Sequence, residues 1–239
     1  MKTWLFDLGN TRLKWAPLRG DGGIGDAVAV PFDEQGHWLD ALPLGGVACL
    51  ASVASEPSTT ALVAALASRF IRLHRVRVEA GLGPLRIAYP IPAHLGVDRF
   101  LAMLGLCGDT PLLVVGVGTA LTLDLVDAQG QHLGGRIAPS PQLMRDSLHA
   151  RAPHLPPSGG GYVEFADDTA PALASGCEGA ALALIETSLR QATQRFGVAP
   201  VLSLHGGGAA VLRERLPDHR WVPDAVLAGL ARWHALRLA

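Results

Sequence analysis

Leu5-Phe6-Asp7-Leu8-Gly9-Asn10-Thr11-Arg12-Leu13-Lys14 and Val114-Val115-Gly116-Val117-Gly118-Thr119-Ala120-Leu121-Thr122-Leu123-Asp124 read as two copies of one device. In each, an apolar strand runs into a turn of small residues and an alternating strand leaves it. Gly9 aligns with Gly118. A glycine turn lets backbone N–H groups approach a ligand closely, and a concave set of such groups holds an anion. Paired turns of this kind suit the clamping of a nucleotide's phosphates between two half-domains, and so point to phosphoryl transfer.

Outward from these turns the chain alternates strands and helices. Residues 3–8 and 11–18 form a hairpin around the first turn. Strands are expected over 47–53, 75–78, 112–117 and 201–205, the last two as continuous apolar runs or short buried segments. Residues 121–126 alternate as a half-buried strand, and Asp127 to Gly130 is a turn leading to a partner strand that ends near Ile137. Helices are expected from about Thr60 to Phe70, Phe100 to Cys107 and Gln142 to Ala150. Another runs from Asp167 or Asp168 to Arg195, and others cover 209–216 and 223–238. Tyr89-Pro90-Ile91-Pro92 must be extended, because proline disfavours helix in the residue before it. The halves divide near 107–111, so the expected domains are residues 1–108, with the first phosphate turn, and 109–239, with the second.

Composition removes several classes. Of 239 residues 49% are hydrophobic, enough for a substantial core and too many for a disordered chain. Twenty Lys and Arg oppose 21 Asp and Glu, so there is no basic field for nucleic acid. Cys49, Cys107 and Cys177 are too widely spaced for a zinc pattern and read as buried free thiols of a reducing cytoplasm. Asp7 interrupts the N-terminus too early for a signal peptide, and no apolar run is long enough to span a membrane.

The candidate chemistry sits in a few residues. Asn10 and Thr11 offer side-chain donors to phosphate oxygens, Lys14 is a compact cation for developing charge, and Asp7 is placed to hold Mg²⁺. There is no GxxxxGK[ST] motif, and a strand rather than a helix follows Gly116-x-Gly118, so neither a P-loop nor a dinucleotide fingerprint is present. Gly96-Val97-Asp98-Arg99 is the best reacting centre. Asp98, beside a guanidinium, stays ionised and can accept a proton from a substrate hydroxyl. Arg99 can orient a substrate carboxylate through two hydrogen bonds. His205-Gly206-Gly207-Gly208, between a strand and a helix, offers bare backbone to an adenosine, with His205 itself read as a turn residue.

Taken together, these pieces resemble the type III pantothenate kinases, relatives of the Bvg accessory factor within the actin-like ATPase superfamily. The matching segments are Asp7-x-Gly9-Asn10-Thr11-x-x-Lys14, Ser52-Val53, Tyr89, Gly96-x-Asp98-Arg99, Gly118-Thr119-Ala120-x-Thr122-x-Asp124, Gly134-Gly135-x-Ile137-x-Pro139, Thr169 and Gly206-Gly207, in family order over nearly the whole length. The resemblance implies an α/β fold of two ribonuclease-H-like halves with mixed sheets flanked by helices, and a cytoplasmic homodimer. It implies ATP-dependent phosphorylation of pantothenate to 4'-phosphopantothenate on the way to coenzyme A. By matching position, Asp7, Leu8, Gly9, Asn10, Thr11, Arg12, Leu13, Lys14 and Thr119 would contact ATP with Mg²⁺. Asp98 would be the base, and Tyr89, Gly96, Val97, Asp98, Arg99 and Thr169 would surround pantothenate, Thr169 from across the dimer.

One position departs from the family. Its second loop normally reads Asp-x-Gly-Thr-Ala, and that Asp helps to bind K⁺ or NH₄⁺. Here the position is Gly116. Three readings follow: the cation is unnecessary, carbonyls and another acid such as Asp124 replace the ligand, or activity is reduced. Alternative functions are a weak or inactive nucleotide-binding regulator on the same scaffold, and an actin-like kinase for another small alcohol.

Overall fold

Strand β1 (Thr3–Leu8) and strand β2 (Arg12–Leu18) form the antiparallel hairpin around the first turn, with Leu8 opposite Leu13 at its tip. The computed structural model describes residues 1–33 and 38–238. Strand β3 (Val28–Pro31) adds an antiparallel edge to β2, which the sequence pattern does not reveal. On the other side of β1 lie β4 (Val47–Ser52) and β5 (Arg72–Arg75), both parallel, giving the order β3-β2-β1-β4-β5. The parallel step from β4 to β5 needs a crossover, and helix α1 (Glu56–Arg69) supplies it.

Two boundaries differ from expectation. Helix α1 starts earlier than Thr60, because Ser55 is the cap and accepts from the Ser58 N–H at 3.3 Å. Pro57 sits in the first turn, where its missing N–H costs nothing. The strand expected at 75–78 lies at 72–75, because those residues pair with Val47 to Leu50. Helix α1 lays Leu62 and Leu66 against Phe6, Leu8, Leu13, Trp15, Leu50 and Phe70. Phe6 and Phe70 meet edge to face at 5.5 Å. A small hairpin, β6 (Gly81–Leu82) and β7 (Leu85–Arg86), precedes helix α2 (Val97–Leu106).

The second sheet repeats the plan. Its strands are β8 (Leu112–Val117), β9 (Ala120–Val126), β10 (His132–Pro139), β11 (Val201–His205) and β12 (Arg220–Trp221), in the order β10-β9-β8-β11-β12. Strand β8 is antiparallel to β9 and parallel to β11, as β1 is to β2 and β4. The internal repeat read from the two turns is therefore a repeat of strand order. Helices α3 (Pro141–Arg151) and α4 (Thr169–Phe196) join β10 to β11. Asp168 caps α4, and Gly197 ends it in the left-handed conformation. After Gly206 the chain makes a 3₁₀ turn and only a short helix, α5 (Ala210–Arg213), in place of the helix expected over 209–216. One face of β8, β9 and β11 packs Leu113, Val115, Val117, Leu121, Leu123, Leu202 and Leu204 against Ala181 and Ile185 of α4.

The chain ends in helix α6 (Ala225–Arg237). The compact units are Met1–Gly108 with Gln129–His132 and the stretch from Asp224 onward, and Asp109–Ala128 with Leu133–Pro223. The chain first passes from one unit to the other after Gly108, and the last helix, assigned to 109–239 from sequence, falls in the first unit. The cause is its crossing with α2. A Cβ on Gly105 would lie 2.6 Å from the Gly229 backbone nitrogen, and one on Gly229 would collide with the Leu101 carbonyl. Arg232 Nη1 donates to the carbonyls of Leu104 and Cys107 at 3.0 and 2.8 Å, which satisfies the end of α2. Helix α6 also packs on β1 and β4.

All three cysteines are free and buried. Among the described residues no helix is long and apolar enough to cross a membrane. The α2–α6 crossing yields a test. Gly229→Val forces the two backbones apart, an overpacking that typically costs about 1–3 kcal/mol. Thermal unfolding should show a clearly lowered midpoint. An unchanged midpoint would mean that the helices do not cross this closely.

Candidate active site

Within the first unit, the end of β1, the turn to β2 and the start of α2 carry most of the expected site. At the turn, the Gly9 N–H donates to the Arg12 carbonyl at 3.0 Å. Asn10, Thr11 and Arg12 are exposed at its tip, where a ligand can reach them. Leu8 and Leu13 are fully buried in the core, so only their main-chain atoms are candidates for ligand contact.

Asp7 is half-buried at the end of β1. Its carboxyl is pushed up from the ordinary 3.8 to about 7, first by burial and then by the Asp98 carboxylate, with Lys14 acting in the opposite sense. Asp7 and Asp98, 91 positions apart in the chain, thus stand close enough to repel. Lys14 does not face Asp7 alone. Its Nζ donates to Asp224 Oδ1 at 3.0 Å. Asp224 stands at the N-cap of α6, yet its side chain makes no capping bond and turns to Lys14 instead. Sequence reading missed Asp224. Its only signal was an acid in the first turn of the helix expected over 223–238, an ordinary place for one.

Asp98 lies in the first turn of α2, where the helix dipole favours its negative charge. Its Oδ1 accepts from the Arg99 N–H at 2.8 Å. The carboxylate folds back over Gly96, since a Cβ there would lie 2.5 Å from Asp98 Oδ1. A side chain at 96 would have to move the Asp98 carboxylate from this position. Val97 is buried. Arg99 is only 6% exposed, so it is not the surface ion-pair partner that a helix start often carries. Its Nη1 donates to the Tyr89 hydroxyl at 3.2 Å, and its Cζ lies 5.8 Å from the Tyr89 ring. The Tyr89 ring also stacks on His132, with centroids 6.0 Å apart. His132 is fully buried, and its Nδ1 accepts from the Ala88 N–H at 3.3 Å. His132 is a second residue that sequence reading missed, since it sits in what reads as an ordinary hairpin.

In the second unit, Thr119 is exposed at the tip of the β8–β9 turn, where the Gly118 N–H donates to the Ala120 carbonyl at 2.9 Å. The glycine-rich loop after β11 packs on this turn. Gly206, at φ 95°, leaves no room for a Cβ against the Val117 carbonyl, and a Cβ on Gly208 would lie 3.1 Å from Val117 Cγ1. Thr169 is exposed at the first position of α4, its N–H donating to Asp168 Oδ1 at 2.7 Å. A cavity of about 390 Å³ in this unit is lined by Leu113, Leu123, Arg136 and Ser188. It opens on the sheet face opposite Gly116 and Thr122 and includes none of the expected site residues. No cluster of three or more metal-ligating side chains occurs among the described residues. A divalent ion here would need to complete its shell with phosphate oxygens and water.

Known proteins match this arrangement. The archaeal actin homologue of known structure superposes with a TM-score of 0.53 at 10% identity, covering 98% of this chain and 99% of that one. A Baf-family transcriptional activator of Campylobacter jejuni superposes with a TM-score of 0.66 at 20% identity, with 97% of each chain covered. The fold is thus that of the actin-like ATPases. The type III pantothenate kinase of Stenotrophomonas maltophilia K279a is 54% identical over 237 residues, 98% of this chain and 97% of that protein. The one from Xanthomonas campestris pv. campestris B100 is 52% identical over 236 residues, with 98% and 97% covered. The family model described as type III pantothenate kinase matches residues 4–191. This chain belongs to the type III pantothenate kinase family.

Proposed function

We propose that this protein transfers the γ-phosphoryl group of ATP to the primary hydroxyl of pantothenate, with Asp98 as the general base. Family membership carries the reaction, and it leads towards coenzyme A. The observation that supports the site is the approach of Asp98 to Asp7, beside the first glycine turn. In this reading the turn from Gly9 to Arg12 and Thr119 hold phosphate oxygens through N–H and side-chain donors. Asp98 takes the hydroxyl proton as the oxygen attacks phosphorus in line with the departing diphosphate. Arg99, braced by Tyr89, faces the carboxylate of pantothenate. Lys14, steadied by Asp224, offsets negative charge near the transferred group.

A divalent cation fits this site. Two carboxylates, Asp7 and Asp98, repel one another in a half-buried place, and Lys14 offsets them only in part. Asp7 would hold Mg²⁺, which when bound neutralises charge on the phosphates. We also propose a homodimer in which Thr169 of one copy reaches the pantothenate of the other. Its exposure at the start of α4 is compatible with that role. ATP as substrate and three unpaired thiols go with a cytoplasmic setting.

Two tests follow from these assignments. Asp98→Asn should lose about 10²–10⁴-fold in turnover, the usual contribution of a positioned acid or base, with an unchanged thermal midpoint or a raised one. Turnover close to wild type would remove Asp98 from its role. The second test concerns Asp7 in nucleotide-free protein with metal chelated. The unfolded carboxyl ionises near 3.8 and the folded one near 7. As pH rises between these values the unfolded state gives up its proton first, so native stability falls, and above about 7 the full disadvantage persists. Asp7→Asn removes it. The variant should melt above wild type at pH 8, converge with it towards pH 4, and lose turnover. A midpoint difference that does not vary with pH would show that Asp7 is not the strained group.

A further inference from the structure

Three residues stand abreast at the end of the second sheet. On β11, His205 is in register with Gly116 of β8, and Gly116 is in register with Thr122 of β9. Residues in register on neighbouring strands present side chains to the same face. Both neighbours lean over the glycine. A Cβ at position 116 would lie 2.7 Å from Thr122 Oγ1, 2.8 Å from His205 Nε2 and 3.0 Å from His205 Cε1. These separations lie inside ordinary contact, so a side chain at 116 would have to push the Thr122 hydroxyl and the His205 ring aside. Gly116 has ordinary strand geometry, without the positive φ that would itself call for glycine. What fills the position is the two neighbouring side chains.

The family's monovalent cation can be tested against this row. A hard cation takes oxygen ligands, and carboxylate, carbonyl and water are its partners, whereas imidazole nitrogen suits softer metals. At position 116 the carboxylate is gone, and the nearest ring atom in its space is a nitrogen. Asp124 does not make good the loss. It is in register with Val114, two rows further from the turn than Thr122, and is only 2% exposed. The residues present do not fit the cation. Resting on the proposed kinase reading, we infer that this chain transfers its phosphoryl group without a monovalent cation at the second turn, His205 closing the place where a carboxylate at 116 would hold one. His205 is thus a positioning residue. It shapes the turn that carries Gly118 and Thr119, and the Gly206–Gly208 loop that follows it packs on the same turn.

The experiment has two arms. In the first, protein freed of K⁺ and NH₄⁺ is assayed for phosphopantothenate with and without KCl, at constant ionic strength set by choline chloride. Turnover should stay within about twofold, and a rise of about tenfold or more on adding KCl would overturn the inference. The same two buffers are used to measure the thermal shift caused by a non-hydrolysable ATP analogue with Mg²⁺, which reports binding without turnover. Equal shifts support the inference, and a larger shift with K⁺ overturns it. Loss of product in both buffers with the shift intact would remove the kinase reading alone, and the thermal shift would still decide the cation question. In the second arm, Gly116→Asp should melt well below wild type, and Gly116→Asp with His205→Ala should recover most of that loss, a non-additive pair. A Gly116→Asp variant as stable as wild type, or one not rescued by His205→Ala, would show that His205 does not close the position.

Discussion

The close crossing of α2 and α6 at Gly105 and Gly229 is the constraint on which the first unit's chemistry depends. Its helices touch backbone to backbone because neither glycine has a side chain to hold them apart. Helix α2 begins with Asp98 and helix α6 begins at Asp224, so one packing contact sets two acids at once. Arg232 then ties the end of α2 to α6 by donating to the carbonyls of Leu104 and Cys107. A bulkier pair at the crossing would displace the start of α2, and Asp98 with it, relative to β1.

That placement works against stability. Asp98 approaches Asp7, and burial with like charge raises the Asp7 carboxyl to about 7. A protein selected for stability alone would not keep two half-buried acids together. In the mechanism proposed above, these two acids are the groups that would handle a cation and a substrate proton side by side. Lys14 eases it only in part, since its ammonium is shared with Asp224. Arg99 shows the opposite arrangement: a buried cation hydrogen-bonded to Tyr89, whose ring in turn stacks on His132.

The two phosphate turns share a strand order but not a charge pattern. At the end of β1 the sheet carries Asp7, and at the matching place on β8 it carries Gly116. The second turn gives up a carboxylate and takes in an imidazole from the neighbouring strand. A side chain at 116 would have to displace both the His205 ring and the Thr122 hydroxyl. The two halves thus differ at this row in packing as well as in charge.

Much of this was legible in the sequence. The paired turns, the apolar runs before them and the alternation after them follow from local pattern, because strand period and glycine turns are short-range properties. So were Asp98 and Arg99, whose motif is four adjacent residues, and the absence of an acid at 116. What the sequence alone did not reveal lies at long range. Asp224 reads as an ordinary first-turn acid until Lys14 is found opposite it, and His132 as one more residue of a hairpin strand until Tyr89 is stacked upon it. The last helix reads as part of the second half until Gly105 of α2 is seen to receive it. His205 looked like a loop residue because nothing in one strand reports what its neighbour leans over. Pairing across strands and helices is decided by burial of whole faces, and only the folded chain brings those faces together.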